Sequence, residues 1–499
     1  MRALLIRTGP SGDLPELYGL LLLHSSSAII AVGTILKQLG VDVDYWHIPI
    51  LLGIPRTQEK YDERLKRFRE LVKGSNYDFI GFSCISCDEY LNILDFARIC
   101  KEENPETLTV MGGYHATVVA KEIMNDSNYI DIVVRGDFEP VCEKFLQGIR
   151  NHNFLKDVPN IIFRQNGKII ETLRVLIDYD INTLPSYDFS IIEEYSSSLG
   201  TLDIEGSRGC KFRCEYCAEA TVRGGHFWSV KKPEKLVEEI QIYSAFMDEH
   251  FGYRRFFFVD PLFGINRKWL NEFCQRLIKS NLNVAWSCET RLDRLSSDEI
   301  SFMRKSGCTF IFHGFESGSS RMLKLMRKTN NPKKYLKKAL GIVNMAKEND
   351  LCVFGSYMLG YPGENMSSLQ ETRDFIAKQI DAGSGYFYPS LLFFIPYPGT
   401  ITYLELDKFS KKFGTKVLVS DIWKYPKTCL HKPIIQPSKE LDVDCLVEFH
   451  KELHDWAKNR TYNKRIAMAI GAPTNIDYNA DLIELRNPCC LPPLNVLKR

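Results

Sequence analysis

Three thiols fall within eight residues in the stretch Cys210-Lys-Phe-Arg-Cys214-Glu-Tyr-Cys217. Thiolates are soft ligands that suit zinc and iron–sulfur clusters, and a cubane ordinarily takes four of them. Three in one tight loop, with no fourth nearby, would leave one iron open. An open coordination position is what a metal centre needs to do chemistry rather than hold a fold. Gly206, Gly209, Gly224 and Gly225 flank the loop and let the backbone approach a bound group closely. Three readings stand at this point: buried structural cysteines, a zinc site completed by His226, and an open iron–sulfur cluster. The cluster is favoured, because zinc wants a fourth Cys or His at finger-like distance and three cysteines at this spacing are a poor coincidence.

The elements that must position this loop alternate. Apolar runs Ala3–Ile6, Val41–His47, Phe79–Ile85, Leu108–Met111 and Ile130–Val134 are separated by amphipathic stretches such as Tyr90–Glu103. This pattern predicts a parallel, doubly wound sheet over residues 1–150, with ligands at the carboxyl ends of its strands. Residues 151–195 read as a connector with a hairpin at Asn166-Gly167. Alternation restarts with candidate strands Leu202–Gly206, Arg255–Asp260, Asn283–Cys288, Thr309–Phe315, Val353–Leu359 and Gly385–Ile395. Pro233, Ser296…Glu299 and Ser368…Glu371 mark helix starts between them. Six β/α units over residues 196–400 predict a partial barrel, and its first strand ends just before the cysteines. Residues 401–499 read as mainly helical, with an amphipathic stretch at Leu441–Lys458 and a proline-rich end. The expected fold class is therefore α/β: a Rossmann-like N-terminal domain, a partial (β/α)6 barrel and a helical C-terminal region.

Composition is that of an ordinary globular protein: 499 residues, 44% hydrophobic, 25% charged, with a net charge of +2. Such a balance gives no electrostatic reason to expect nucleic acid or an anionic membrane as partner. The longest apolar stretch, Leu17–Leu36, is broken by His24, Ser25, Ser26, Ser27 and Gly33, and reads as a buried helix rather than a span. The N-terminus runs into a strand without a signal-like cleavage site, so a cytoplasmic location is expected. Most of the fifteen cysteines, among them Cys100, Cys274, Cys308 and Cys352, sit in apolar patterns and read as small buried hydrophobes. Cys84 and Cys87 are read as packing. His450 and His454 lack the zincin order and are read as a solvated helix face. Cys489 and Cys490 are left unassigned.

The Cys-x3-Cys-x2-Cys loop, with Tyr216 before its last cysteine, resembles the signature of the radical S-adenosylmethionine (SAM) superfamily. Later segments, in order, resemble the branch with an N-terminal cobalamin domain, the cobalamin-dependent (class B) radical SAM methyltransferases. They are Phe258-Val-Asp260, Trp286-Ser-Cys288-Glu-Thr-Arg291, Gly314-Phe-Glu316-Ser317-Gly318, Gly360-Tyr-Pro362-Gly363-Glu364 and Pro396-Tyr-Pro398-Gly399. The resemblance implies a 4Fe-4S cluster on Cys210, Cys214 and Cys217, and SAM contacts from Tyr216, Arg291, Glu316 and Ser317. A pairing of Arg291 with Glu316 is the plain structural alternative.

In the N-terminal region the same resemblance implies cobalamin contacts from Thr8, Ser83, Gly112, Gly113, Tyr114, His115, Gly136 and Asp137. One departure stands out. The Asp-x-His-x-x-Gly motif that supplies a lower cobalt ligand is missing, because the first loop reads Thr8-Gly-Pro-Ser-Gly-Asp13. The implied activity is transfer of methyl from methylcobalamin to a substrate radical made by a 5′-deoxyadenosyl radical. A small molecule or peptide would be the substrate, and a flavodoxin- or ferredoxin-type protein the external one-electron reductant. A non-methylating radical reaction on the same architecture is the alternative. The C-terminal region is expected to shape the substrate pocket.

Overall fold

The computed structural model describes residues 1–9, 24–55, 57–223, 228–426, 432–461 and 465. Its first sheet comprises β1 (Arg2–Arg7), β2 (Asp42–His47), β3 (Phe79–Ser83), β4 (Leu108–Gly112), β5 (Ile132–Val134), β6 (Ile161–Gln165) and β7 (Lys168–Glu171), in the order β2-β1-β3-β4-β5-β6-β7. β1 to β5 run parallel, and β1 lies between β2 and β3, so the order reverses there. A crevice forms at such a reversal, outside the carboxyl ends of the strands. Side chains alternate across this sheet. Ala3 and Leu5 enter the core shared with the rest of the chain, while Leu4 and Ile6 enter a separate core under the helix Cys87–Glu103.

The hairpin at Asn166-Gly167 is present, with both turn residues at positive φ, as a two-residue type I′ turn requires. It does more than link. β6 pairs antiparallel with β5 and adds two strands to the first sheet, so the three-residue β5 is not left as an edge.

The second sheet holds β8 (Leu202–Ile204), followed by the short antiparallel pair β9 (Ser207–Gly209) and β10 (Trp228–Val230). It continues with β11 (Arg255–Phe258), β12 (Ala285–Glu289), β13 (Cys308–Glu316), β14 (Cys352–Leu359) and β15 (Phe387–Phe393). Its order is β15-β14-β13-β12-β11-β8, all parallel, with no bond between β8 and β15. The sheet is thus the expected six-stranded, unclosed barrel. Helices start where turn chemistry directs: Pro233 opens Pro233–His250, and the Ser296 and Glu299 capping box opens Ser297–Lys305. The start expected at Ser368…Glu371 lies three residues earlier. Asn365 caps Met366–Ala382, and Ser368 returns the bond as the third residue of that helix.

Of the apolar stretch 17–36, residues 17–23 lie outside the described residues; the remainder enters the helix Ser27–Gln38, which buries Ile29, Ile30 and Leu36. The amphipathic stretch near the C-terminus forms the helix Val443–Thr461. His450 on it is not on a solvated face. It is mostly buried against Phe393, with ring centroids 4.2 Å apart, and its Nε2 lies 3.1 Å from the Leu391 carbonyl of β15. Cys489, Cys490 and His226 lie outside the described residues. No described helix is long and apolar enough to cross a membrane.

Trp286 of β12 anchors the barrel floor. Its ring meets Phe258, Phe263 and Phe273 at 5.5–5.8 Å, and its Nε1–H donates to the Ser306 carbonyl at 2.9 Å. Trp286→Ala would leave a cavity and an orphaned carbonyl. We expect a loss of about 4 kcal/mol in chemical denaturation, against a smaller loss for Trp286→Phe, which refills most of the cavity but leaves the Ser306 carbonyl without its donor.

Candidate active site at the junction of the two sheets

A cavity of about 430 Å³ opens where the carboxyl ends of the first sheet face the start of the second. The first sheet contributes Arg7, Ser83, Gly112, Gly113 and Tyr114, then Gly136, Asp137 and Glu139. The barrel contributes Asp203, Glu205, Ser207 and Arg208 from β8 and β9, and Arg223 from beyond the cysteines. Gly112 and Gly136 leave room: a Cβ added at either would meet nothing within 4 Å. Gly113 is required for another reason. At φ +107 its missing Cβ would strike the Cys84 carbonyl, where two strand ends come together.

Two of the residues expected here stand elsewhere. His115 turns to the far side of the sheet, against the Tyr90 ring at 6.1 Å, and burial lowers its imidazole to about 4. The helix Tyr114–Val118 sends successive side chains in different directions: Tyr114 and, three residues on, Thr117 face the cavity, and His115 does not. Thr8 is buried away from the cavity, its carbonyl accepting from the Arg64 guanidinium at 3.1 Å.

One buried guanidinium joins the two halves. Arg208 bonds both carboxylate oxygens of Glu205, and it reaches Glu139 at 2.5 Å from the β5 end of the first sheet. It also bonds the Tyr179 hydroxyl, which in turn donates to Asp137 at 2.8 Å. Burial alone would raise the Glu205 carboxyl, but Arg208 outweighs it and holds Glu205 below the ordinary carboxylate range. Asp137 is also held low, against its burial, by Arg223 at 2.8 Å and by Arg208. Tyr114 bonds Glu219, two residues after Cys217, which ties the first sheet to the cysteine loop itself. His24 Nδ1 to Asp203 Oδ1, 2.9 Å, is a further tie.

The cysteine loop follows β9 directly. Cys214 is buried, and Cys210 and Cys217 are partly exposed. Burial above all, with smaller contributions from Cys214, Glu219 and Cys210, pushes the Cys217 thiol up to about 12. Among the described residues no three His, Cys, Asp or Glu side chains converge on a single metal ion. A cubane differs from a single ion in this respect, since each thiolate binds a different corner. Soft donors and a short loop, with no fourth ligand gathered among the described residues, suit that group.

Beside the loop, Tyr216 donates to Glu316 Oε1 at 2.8 Å, and Lys328 Nζ bonds the same oxygen at 2.9 Å. Glu316 sits at φ +67, a conformation unusual for a side-chain-bearing residue, at the end of β13. Arg291 does not pair with Glu316. It bonds Asp293 at 2.9 and 3.2 Å, lies over the Phe212 ring at 4.2 Å, and leaves its Nη1 buried without a described partner. An orphaned, cationic donor beside the cysteine loop fits a carboxylate-bearing ligand. Ser317 is not gathered with these groups. Its hydroxyl bonds Thr372 at 3.0 Å and accepts from the Ser319 amide, so it shapes the turn into the next helix. Glu289, one strand along, has its carboxyl lifted to about 7 by burial and by Glu316.

Residues 204–376 match the Radical SAM superfamily, and residues 22–146 match the B12 binding domain. An uncharacterised methyltransferase of Pyrococcus horikoshii is 27% identical over 334 residues, 66% of this chain and 70% of that protein. The anaerobic magnesium-protoporphyrin IX monomethyl ester cyclase of Rubrivivax gelatinosus is 27% identical over 375 residues, 72% of this chain but only 62% of the cyclase. In fold, the chain is similar to the radical SAM methyltransferase TsrM of Kitasatospora setae, solved with cobalamin and a 4Fe-4S cluster. The TM-score is 0.69 at 13% identity, covering 92% of this chain and 90% of that one. The chain belongs to the radical SAM enzymes that carry a B12-binding domain.

The Arg208 network carries a test of its own. Removing one partner of a buried ion pair strands the others, so Arg208→Met should cost about 3 kcal/mol in denaturant unfolding. Adding Glu205→Gln to that variant should recover part of the loss. Strictly additive losses would show that the two residues do not act as a unit.

Proposed function

We propose that this enzyme is a cobalamin-dependent radical SAM methyltransferase acting on an unactivated carbon of a small molecule or peptide. The observation that carries the reading is a cavity lined from both sheets, with glycine-cleared strand ends on one side and the run into the cysteine loop on the other. When bound, the cofactors supply reductive cleavage of SAM to a carbon-centred radical, and a methyl group held on cobalt.

The chain's own residues bind, orient and enclose. Cys210, Cys214 and Cys217 would hold the 4Fe-4S cluster. Arg291, kept in place by Asp293 and Phe212, would take the SAM carboxylate on its free Nη1. Glu316, held by Lys328 and Tyr216, would accept hydrogen bonds from the rest of SAM. Tyr216 is then a positioning residue, because its hydroxyl is already committed to Glu316. Ser83, Gly112, Gly113, Tyr114, Gly136 and Asp137 would border the corrin, with residues 1–150 as the cobalamin-binding unit and 196–400 as the barrel. The Arg208 and Arg223 ion pairs, bridging the two units over the cavity, would keep water from the reacting centre.

A second reading rests on the cyclases among the relatives: the same architecture could run a non-methylating radical reaction. SAM carrying a trideuterated methyl group separates the two, because product heavier by that group is expected here and unlabelled product would overturn the methylase reading. Cys214→Ala should lose cluster iron and bring 5′-deoxyadenosine formation down to background. Full activity with an intact cluster in that variant would remove the basis of the proposal.

A further inference from the structure

The whole chain is nearly neutral, yet exposed cations collect where the cysteine loop reaches the surface. The loop is anchored on that side by three bonds around one residue. The Glu215 amide donates to the Met326 carbonyl at 3.2 Å, the Glu215 carbonyl accepts from the Thr402 amide at 2.9 Å, and the Glu215 carboxylate meets Arg327 at 2.7 Å. Each partner belongs to a segment that brings more positive charge. Arg327 is 67% exposed and follows exposed Lys324 on the turn after the helix Ser320–Leu325. Lys408 is 68% exposed, and Lys411 lies three residues on along the helix Leu406–Phe413. Arg213, exposed, comes from the loop itself.

The acidic groups nearby do not cancel this field. Glu215 is buried and held by Arg327, Glu405 is held by Lys408 at 2.9 Å, and Asp407 is the one exposed acid in the hollow. That hollow, about 520 Å³, is lined by Leu404, Glu405, Asp407, Lys408, Lys411 and Lys412. Leu404 is 69% exposed within it, so an apolar contact sits inside a cationic rim. Protein–protein docking sites share this layout, and a binder of small anions has no use for the exposed leucine.

We propose that this face, formed by Arg213, Lys324, Arg327, Lys408 and Lys411 around Leu404, docks an acidic one-electron carrier protein that reduces the centre behind it. The inference rests on the reading of Cys210, Cys214 and Cys217 as cluster ligands. The electron balance is simple: the carrier, such as a flavodoxin hydroquinone, gives up one electron and becomes the semiquinone, and the cluster gains that electron. Opposite charge steers such an encounter and speeds association, with a strong dependence on ionic strength.

The test compares the wild-type holoenzyme with a Lys324→Glu/Lys408→Glu/Lys411→Glu variant, none of whose sites touches the cavity or holds the cluster. Bleaching of the cluster absorbance is followed anaerobically with flavodoxin hydroquinone, and separately with reduced methyl viologen. Binding of oxidised flavodoxin is measured by calorimetry. The wild-type rate with flavodoxin should fall as salt rises. The variant should be slower by about tenfold or more at low salt, with weaker flavodoxin binding and little salt dependence left, while viologen reduces it at least as fast as wild type.

A flavodoxin rate in the wild type that ignores ionic strength would overturn the proposal. So would a variant reduced by flavodoxin at the wild-type rate that instead loses binding to vesicles of phosphatidylserine and phosphatidylcholine. Should viologen bleach nothing in the wild type, the cluster reading itself would fail, which is a separate result. If the charge-reversed variant folds poorly, Lys324→Gln/Lys408→Gln/Lys411→Gln should show the same effects at smaller size.

Discussion

The structure turns on one buried guanidinium. Arg208 lies two residues ahead of the first loop cysteine, and its partners come from three separate stretches: Glu205 of the barrel, Tyr179 of the connector and Glu139 of the first sheet. A cation this deep is costly unless each of its donors finds an acceptor, and here the acceptors are carboxylates and a phenol that share the strain. The orientation of the first sheet against the barrel is therefore written into the same residue that sets the entry of the cysteine loop. Asp260 adds to this. It accepts from the Gly206 amide at 2.8 Å and the Ser207 hydroxyl at 2.5 Å, fixing the backbone just upstream.

Much of this was legible in the chain because the signals are local. The short apolar runs between helical stretches marked all five parallel strands of the first sheet and all six of the barrel, to within a few residues at their ends. The three cysteines announced themselves by spacing. What stayed hidden depends on contacts between distant segments. Nothing in Glu205-Gly-Ser-Arg208 says that Arg208 will find Glu139 sixty-nine residues earlier, although a charged pair directly ahead of a metal-ligand loop was a clue worth following.

Side-chain direction was also beyond the sequence. His115 follows Tyr114 by one residue in a short helix and so points to the other side, and Ser317 follows Glu316 yet turns into the next helix. The same blindness hid Asp293, which turns back two residues to hold Arg291, and Lys328, which folds back to the end of the strand it follows to hold Glu316. His450 misled for the opposite reason: its helix looks polar by pattern, but the ring is covered by β15.

The unclosed barrel has a consequence for how the chain avoids its own kind. A sheet that stops at six strands has two raw margins, and an uncovered margin recruits strands from other molecules. At β8 the chain lays the His24 backbone alongside Thr201, and at β15 the helix Val443–Thr461 lies across the strand and caps the Leu391 carbonyl through His450. Segments nearly 420 residues apart in the chain, numbered 24 and 443, thus do the same job, each acting as a selvedge on cloth that would otherwise fray into neighbouring molecules.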